Sequence, residues 1–294
     1  MSAAAPRQAD PDPRELVRDR VVVVTGASSG IGRATAIAFA AAGSHVVGAA
    51  RRGHALSELQ ADLERLGATA MMVPTDVTDE GSVGRLVDRT VARFGRLDVL
   101  VSSAGAYVRT PLLELTTADL ERSLQVNFYG AVRPALAALP HFLAQGRGHL
   151  VFVSSLISRK GLPYESPYAV AKWALTGFAD VARQELRPHG IAVTTVMPGR
   201  VATAFIEGVR FHPISKPIPP SDVAEAIVRA VRRRQAEVML PRRASAIHYA
   251  AAVSPRLADW GVRRFRLEGW LETGEAPGRA GPLPAGATLE DPEP

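Results

Sequence analysis

A doubly wound α/β fold, with a seven-stranded parallel sheet covered by helices on both faces, is the class this sequence predicts. Three observations predict it. Seven short apolar runs recur along the chain. Most are unbroken instead of alternating, as strands covered on both faces must be. Between them lie longer amphipathic stretches, several ending at a glycine, which read as crossover helices. A composition of 47% hydrophobic and 22% charged residues, with mean hydropathy +0.04, is that of a packed chain and excludes disorder throughout.

In chain order the strands are VVVVT (21–25), HVVGA (45–49), ATAMMV (68–73), LDVLVS (97–102), HLVFVS (149–154), IAVTTVM (191–197) and EVML (237–240). Helices are expected over 31–42, stopped by Gly43, and over 56–66, stopped by Gly67. Residues 199–220, rich in Pro, interrupt the alternation and read as an active-site loop. Ser254-Pro255 opens a further helix carrying Leu257 and Trp260, followed by Phe265 and Leu267, among Arg side chains. Four segments result: a flexible start (1–17), one large domain (18–241), a basic helical extension (242–270) and a disordered acidic tail (271–294).

The net charge of +6 is unevenly placed: residues 229–266 carry a local +8 and residues 267–294 a local −5. Packing of the basic segment on its own fold or on a second subunit is the favoured reading, and a peripheral membrane contact the weaker one. No nucleic-acid motif accompanies the charge, so no nucleic-acid partner is expected. The longest uncharged run, 34–50, has Gly43, Ser44 and His45 in its middle and reads as a helix followed by a strand. The first twenty residues lack an apolar core of the signal-peptide kind, and a cytoplasmic location is expected. With no Cys, thiolate catalysis and disulfides are excluded. The seven His are scattered, so no metal is expected.

Directly after the first strand stands Thr25-Gly26-Ala27-Ser28-Ser29-Gly30-Ile31-Gly32, leading into a helix. Glycines permit a tight turn and close backbone approach, and free N–H groups at a helix start favour an anionic pyrophosphate. No Gly-Lys-Ser/Thr follows, so this is not a Walker A loop.

The turn resembles that of the short-chain dehydrogenase/reductase family, and further family motifs follow in order over roughly residues 18–241. They are Asp76-Val77 after strand three, Ser103-Ala104-Gly105 after strand four, Asn127 in LQVNFYG, Ser155, Tyr168 and Lys172 in YAVAK, and Pro198-Gly199 with Val201 and Thr203 after strand six. The resemblance implies a Rossmann-like dinucleotide-binding catalytic domain, in which Gly26, Ser28, Ser29, Gly30, Ile31 and Gly32 hold the pyrophosphate and Asp76 and Val77 the adenine. Ser103, Ala104, Gly105, Tyr168, Lys172, Pro198, Gly199, Val201 and Thr203 complete the cofactor set. It also implies a dimer or tetramer. Ser102-Ser103 stands where the family usually has Asn-Asn, a shorter side chain that weakens contacts near the adenosine. The second strand ends in Ala49-Ala50-Arg51-Arg52, with no acid until Glu58. Arginine suits a 2′-phosphate, so NADP(H) is the expected cofactor, with Arg51 favoured over Arg52 as its ligand.

Carbonyl reduction needs a hydride at carbon and a proton at oxygen. Tyr168 and Lys172, four residues apart on one helix face, meet the second need: a nearby ammonium stabilises the phenolate and lowers the phenol pKa. Ser166 is the expected N-cap of that helix and Pro167 its first residue. Ser155 is favoured over Ser154 as the hydroxyl that steadies the substrate oxygen. By resemblance, Asn127 holds a water joining Lys172 to solvent. Phe205, Ile206, Val209, Phe211 and Ile214 in the Pro-rich loop point to an apolar small-molecule carbonyl or alcohol. The alternative function is a catalytically idle dinucleotide sensor or scaffold that uses its Arg-rich segment for contacts.

Overall fold

In the computed structural model of the chain, residues 17–206, 209–241, 251 and 253–271 are described. The expected tail beyond residue 271, most of the expected start and residues 242–250 of the basic extension lie outside them. The strands are β1 (Val21–Thr25), β2 (His45–Ala50), β3 (Ala70–Pro74), β4 (Val99–Ser102), β5 (Gly148–Val153), β6 (Ile191–Pro198), β7 (Val209–Arg210), β8 (Glu237–Leu240) and β9 (Trp270–Leu271). The helices are α1 (Gly30–Ala41), α2 (Gly53–Arg65), α3 (Glu80–Phe94), α4 (Thr117–Leu124), α5 (Gly130–Gln145), α6 (Ser166–Leu186), α7 (Pro220–Arg233) and α8 (Pro255–Arg264).

Seven strands form one sheet in the order β3-β2-β1-β4-β5-β6-β8, every neighbouring pair parallel. The unbroken apolar runs have their cause here. Val22, Val24, Val46, Val99, Val101, Val151 and Val153 face one layer, which contains α1, α2 and α7. Val21, Val23, Val47, Leu100, Leu150 and Phe152 face the opposite layer, which contains α3, α5 and α6. Successive residues point to opposite faces, so a strand covered twice has no polar position to offer. The small antiparallel pair β7 and β9 ties the Pro-rich loop to the end of the described chain.

Local chemistry sets the element ends. Asp79 caps α3, accepting from the Gly81 and Ser82 amides at 3.0 Å each, and Gly95 ends it in the left-handed region at φ 71°. Ser254 caps α8 by accepting from Leu257 N at 3.3 Å, with Pro255 first in the helix, as the sequence predicts. Ser166 is not the cap of α6 but its first residue; Glu165 takes that place without a side-chain cap bond. Val17, at the edge of the expected flexible start, is fully buried and accepts the Ser44 hydroxyl at 2.7 Å.

One buried histidine makes the fold pH-sensitive. His149 in β5 is buried, and its Nε2 lies 2.8 Å from Thr194 Oγ1. The Thr194 hydroxyl donates to Gln235 O at 2.6 Å, so the Nε2–H of neutral His149 donates to Thr194. Burial, helped by nearby Arg234, pulls its pKa down to about 3. Below the ordinary value the unfolded chain takes up a proton that the fold refuses, so stability falls as pH drops from about 6.5 towards 3, by at most about 1.4 kcal/mol per pH unit. Denaturant midpoints at pH 7 and 5 are expected to differ less in His149→Gln than in the wild type. An equal difference in both would assign the acid sensitivity to other groups.

Candidate active site

The strand order reverses between β1 and β4, and the crevice beyond their C-terminal ends is where open α/β sheets bind ligands. The turn after β1 and the loop after β4 touch there. A Cβ on Gly26 would lie 2.8 Å from the Ala104 backbone, and one on Gly32 would overlap the Gly26 carbonyl. Gly30 adopts φ +52° with Thr203 Cγ2 3.0 Å from its Cβ position. Buried Thr25 Oγ1 accepts from the Ser103 and Ala104 amides at 3.1 and 3.3 Å, fastening the two loops together. Ser29 precedes α1 without capping it by its side chain, and the first turn holds no acid. The backbone N–H groups there remain available to an anion.

Arg52, and not the favoured Arg51, is fastened to this turn: its Nη2 donates to the Ser28 and Ser29 hydroxyls at 3.1 Å each. Asp76 Oδ1 accepts from the Thr78 amide at 2.8 Å and the Thr78 hydroxyl at 2.7 Å. Val77 packs so closely on Gly130 that a Cβ there would stand 2.8 Å from Val77 Cγ2. Ser102 turns inward and donates to Ala131 O at 3.1 Å, whereas Ser103 faces the crevice.

A cavity of about 620 Å³ continues from the crevice. Ile31, Ser103, Gly105, Asn127, Ser155, Tyr168, Lys172, Pro198, Gly199, Val201 and Thr203 line it, joining most of the expected residues on one wall. Ser155 Oγ donates to Pro198 O at 3.4 Å and accepts from Ile157 N at 3.3 Å, and its hydroxyl works to lower the phenol pKa of Tyr168. Ser154 is committed to the other side, 2.8 Å from Thr176 Oγ1 and donating to Lys172 O at 3.2 Å. Both serines border the cavity, but only Ser154 is tied to α6, through Thr176 and Lys172.

Lys172, 4% exposed, donates to Val153 O at 2.9 Å and stands 5.6 Å from the centroid of the Tyr168 ring. Burial pulls its ammonium down to about 8. Tyr168 does not show the lowered value that the sequence predicts. Burial pushes its phenol above the ordinary range and the Glu165 carboxylate pushes it further, against the lowering effect of the Ser155 hydroxyl. Desolvation of the phenolate outweighs what the lysine supplies at that distance.

Asn127, fully buried, sits in a π-helical turn (Gln125–Tyr129) between α4 and α5. Its Nδ2 donates to Ala106 O at 2.8 Å and Ser123 Oγ at 3.2 Å, and its Oδ1 accepts from Ala106 N at 3.1 Å. Both amide hydrogens are engaged, so the side chain clamps the loop after β4. Gly105 fits under that clamp, since a Cβ would approach Asn127 Oδ1 to 2.8 Å.

Several residues that sequence reasoning does not single out complete the cavity. Tyr107 meets Tyr168 edge-on at 5.2 Å. Glu165, 3% exposed, faces Tyr107, with Arg200 3.9 Å from its Oε1. Burial raises the Glu165 pKa against the nearby Arg200 and Arg109. Arg109 donates to Glu268 O at 3.0 Å, and Arg200 donates to Leu267 O and lies 4.1 Å over the Phe211 ring. Through these bonds, and through the Lys160–Asp259 ion pair, the chain from α8 to Leu267 closes over the cavity. The basic segment thus packs on its own fold, as favoured above, at least over α8 and the residues that follow it. His212 lies tilted against Phe265, with ring centroids 5.4 Å apart. No group of acids or His suited to a metal ion occurs among the described residues.

Comparison with known proteins agrees with this geometry. The short chain dehydrogenase family model matches residues 20–212. The chain is 36% identical over 253 residues to the uncharacterized oxidoreductase YxnA of Bacillus subtilis, covering 83% of this chain and 71% of that one. It is 34% identical over 243 residues to a fatty acyl-CoA reductase of Acinetobacter baylyi, covering 81% and 82%. Among solved structures, an alcohol dehydrogenase from Thermococcus sibiricus complexed with 5-hydroxy-NADP superposes with a TM-score of 0.67 at 29% identity, covering 75% of this chain and 95% of that one. With the family model matching residues 20–212 and relatives of 34–36% identity covering most of its length, the chain belongs to the short-chain dehydrogenase/reductase family of oxidoreductases.

Proposed function

We propose that this chain interconverts a carbonyl group and a secondary alcohol on an apolar small molecule, with NADP(H) as its redox partner. The observation that carries the reading is that the Tyr168 phenol, the Ser155 hydroxyl and Lys172 all line one otherwise largely apolar cavity. When bound, the nicotinamide supplies or accepts the hydride at the substrate carbon. In reduction the phenol of Tyr168 gives its proton to the substrate oxygen as the carbon–oxygen double bond becomes single. In oxidation it takes that proton back. Ser155 holds the oxygen beside the phenol, and Lys172 holds positive charge next to it.

The glycine cradle and open helix start suit the pyrophosphate, and an added Cβ at Gly26 or Gly32 would abolish the cradle. Arg51 and Arg52 stand where a 2′-phosphate would be recognised, Arg52 already lying against Ser28 and Ser29. Asp76 and Val77 would hold the adenine, Ser103, Ala104 and Gly105 the adjoining ribose, and Pro198, Gly199, Val201 and Thr203 the nicotinamide end near Lys172. The apolar lining, together with an Acinetobacter baylyi relative named for fatty acyl-CoA, supports a hydrophobic substrate.

Calorimetry with NADPH and NADH tests the cofactor. NADPH is expected to bind at least about tenfold tighter, a preference reduced in Arg51→Ala and in Arg52→Ala, since hydrogen bonds to charged groups contribute about 1.5–3 kcal/mol each. Equal affinities in the wild type would overturn the NADP(H) assignment. A homodimer or tetramer also fits: α5 and α6 expose Leu136 and Leu143, and Val170, Trp173 and Val181, a surface that a second copy would cover. No helix among the described residues is long and apolar enough to cross a membrane. A cytoplasmic location remains our expectation.

A further inference from the structure

We propose that the rim of the cavity, built largely by α8, is a docking surface for an anionic lipid bilayer. Four large apolar side chains line the cavity yet stay about half exposed: Phe205 (49%), Ile214 (51%), Leu257 (54%) and Trp260 (55%). All four belong to the lining of this one cavity. On α8, Ala258 and Val262 are buried against the fold, which turns Leu257 and Trp260 outward, and Val253 just before the helix is 86% exposed. A helix turned outward with Leu and Trp leaves apolar surface in water unless something covers it.

Charge selects the occupant. Arg256, Arg263, Arg264 and Arg266 are exposed around this face. The one acid within 253–267, Asp259, is held by Lys160. A second copy of the same surface would bring like charges together, and a soluble acidic peptide would leave the apolar rim uncovered. An anionic leaflet answers both halves. Its headgroups take the guanidinium groups, while Trp260 and Leu257 enter the boundary between headgroup and acyl chain, the depth at which tryptophan is enriched. With ten residues α8 is far too short to span, so the contact is peripheral. An apolar substrate dissolved in the bilayer would then meet the open side of the cavity. That last step rests on the proposed function, whereas the docking does not.

Vesicle co-sedimentation of the full chain tests the docking without any substrate. Vesicles of phosphatidylcholine mixed with phosphatidylserine are expected to bind at least about tenfold tighter than phosphatidylcholine alone, and binding should weaken as salt is raised. Arg256→Ser with Arg263→Ser is expected to cost about fivefold per arginine, and the wild type should show a blue-shifted tryptophan emission that Trp260→Phe diminishes. Equal binding to both vesicle types, or to neither, overturns the proposal. So does light scattering that shows the arginine variant changing oligomeric state, which would make the rim a subunit interface. Binding of soluble polyglutamate as tightly as the mixed vesicles overturns it in favour of charge alone. Because none of these readouts involves turnover, loss of docking and loss of the proposed reaction remain separate results.

Discussion

Tyr168→Phe is expected to slow turnover by about 10³-fold or more while dinucleotide binding stays within about twofold of the wild type. The substitution removes one oxygen and little else. The ring keeps its edge-on contact with Tyr107 and its place beside Lys172. Ser155 stays held by Ile157 N and near Pro198 O, so the cavity wall survives. What disappears is the O–H that would donate or accept the substrate proton. Undiminished turnover would remove Tyr168 from the chemistry, and absence of turnover in the wild type despite cofactor binding would favour the sensor or scaffold alternative. The sign of the pH dependence follows from the raised phenol. Reduction needs the phenol protonated, so it proceeds undiminished through neutral pH. Oxidation needs the phenolate, so its rate climbs with pH. Glu165→Gln removes a negative charge that holds the phenol up, and the climbing limb of oxidation is expected to move to lower pH.

The sheet is legible in the sequence because burial on two faces erases the polar alternation, leaving runs such as VVVVT and HLVFV that admit no other reading. Strand three shows the limit: its apolar run begins at Ala68, yet β3 starts at Ala70, since Ala68 and Thr69 still belong to the approach from α2. Within the site, the residues that local motifs mark do converge. Tyr168 and Lys172 share a face of α6, Ser155 follows the fifth strand in the same cavity lining, and the glycine turn meets Ala104. The upper half of the cavity is invisible to such reasoning. Arg109 reaches Glu268 across 159 residues, and Arg200 reaches Leu267 across 67. No periodicity encodes a contact of that range. The phenol pKa was equally out of reach, because a YxxxK spacing reports the lysine and not the depth of burial or the carboxylate at Glu165.

Arg200→Ala is expected to lower stability by about 3 kcal/mol and to release the C-terminal segment, because three separate contacts end on this one guanidinium. It is the cation 3.9 Å from buried Glu165, it donates to Leu267 O, and it lies over the Phe211 ring. Its loss leaves Glu165 with Tyr107 and Arg109 to oppose its burial, and leaves the stretch after α8 with the Arg109 bond and the β7–β9 pair. Two measurements distinguish the parts. Denaturant midpoints report the buried charge, and adding Glu165→Gln to Arg200→Ala is expected to recover part of the lost stability, since a neutral amide needs no counterion. Trypsin reports the segment: Arg256, Arg263, Arg264 and Arg266 should be cut faster in Arg200→Ala. Arg200→Lys is expected to fall between, keeping the charge but not the planar guanidinium that lies over Phe211 while its Nη2 reaches Leu267 O and nears Glu165. If the midpoint falls but trypsin cuts no faster, the segment is held by its other contacts: α8 packing, the Lys160–Asp259 pair, the Arg109 bond and the β7–β9 pair. If cutting accelerates with no fall in the midpoint, Arg200 latches the cavity roof without supporting the domain, and the roof then opens independently of the sheet that carries the catalytic wall.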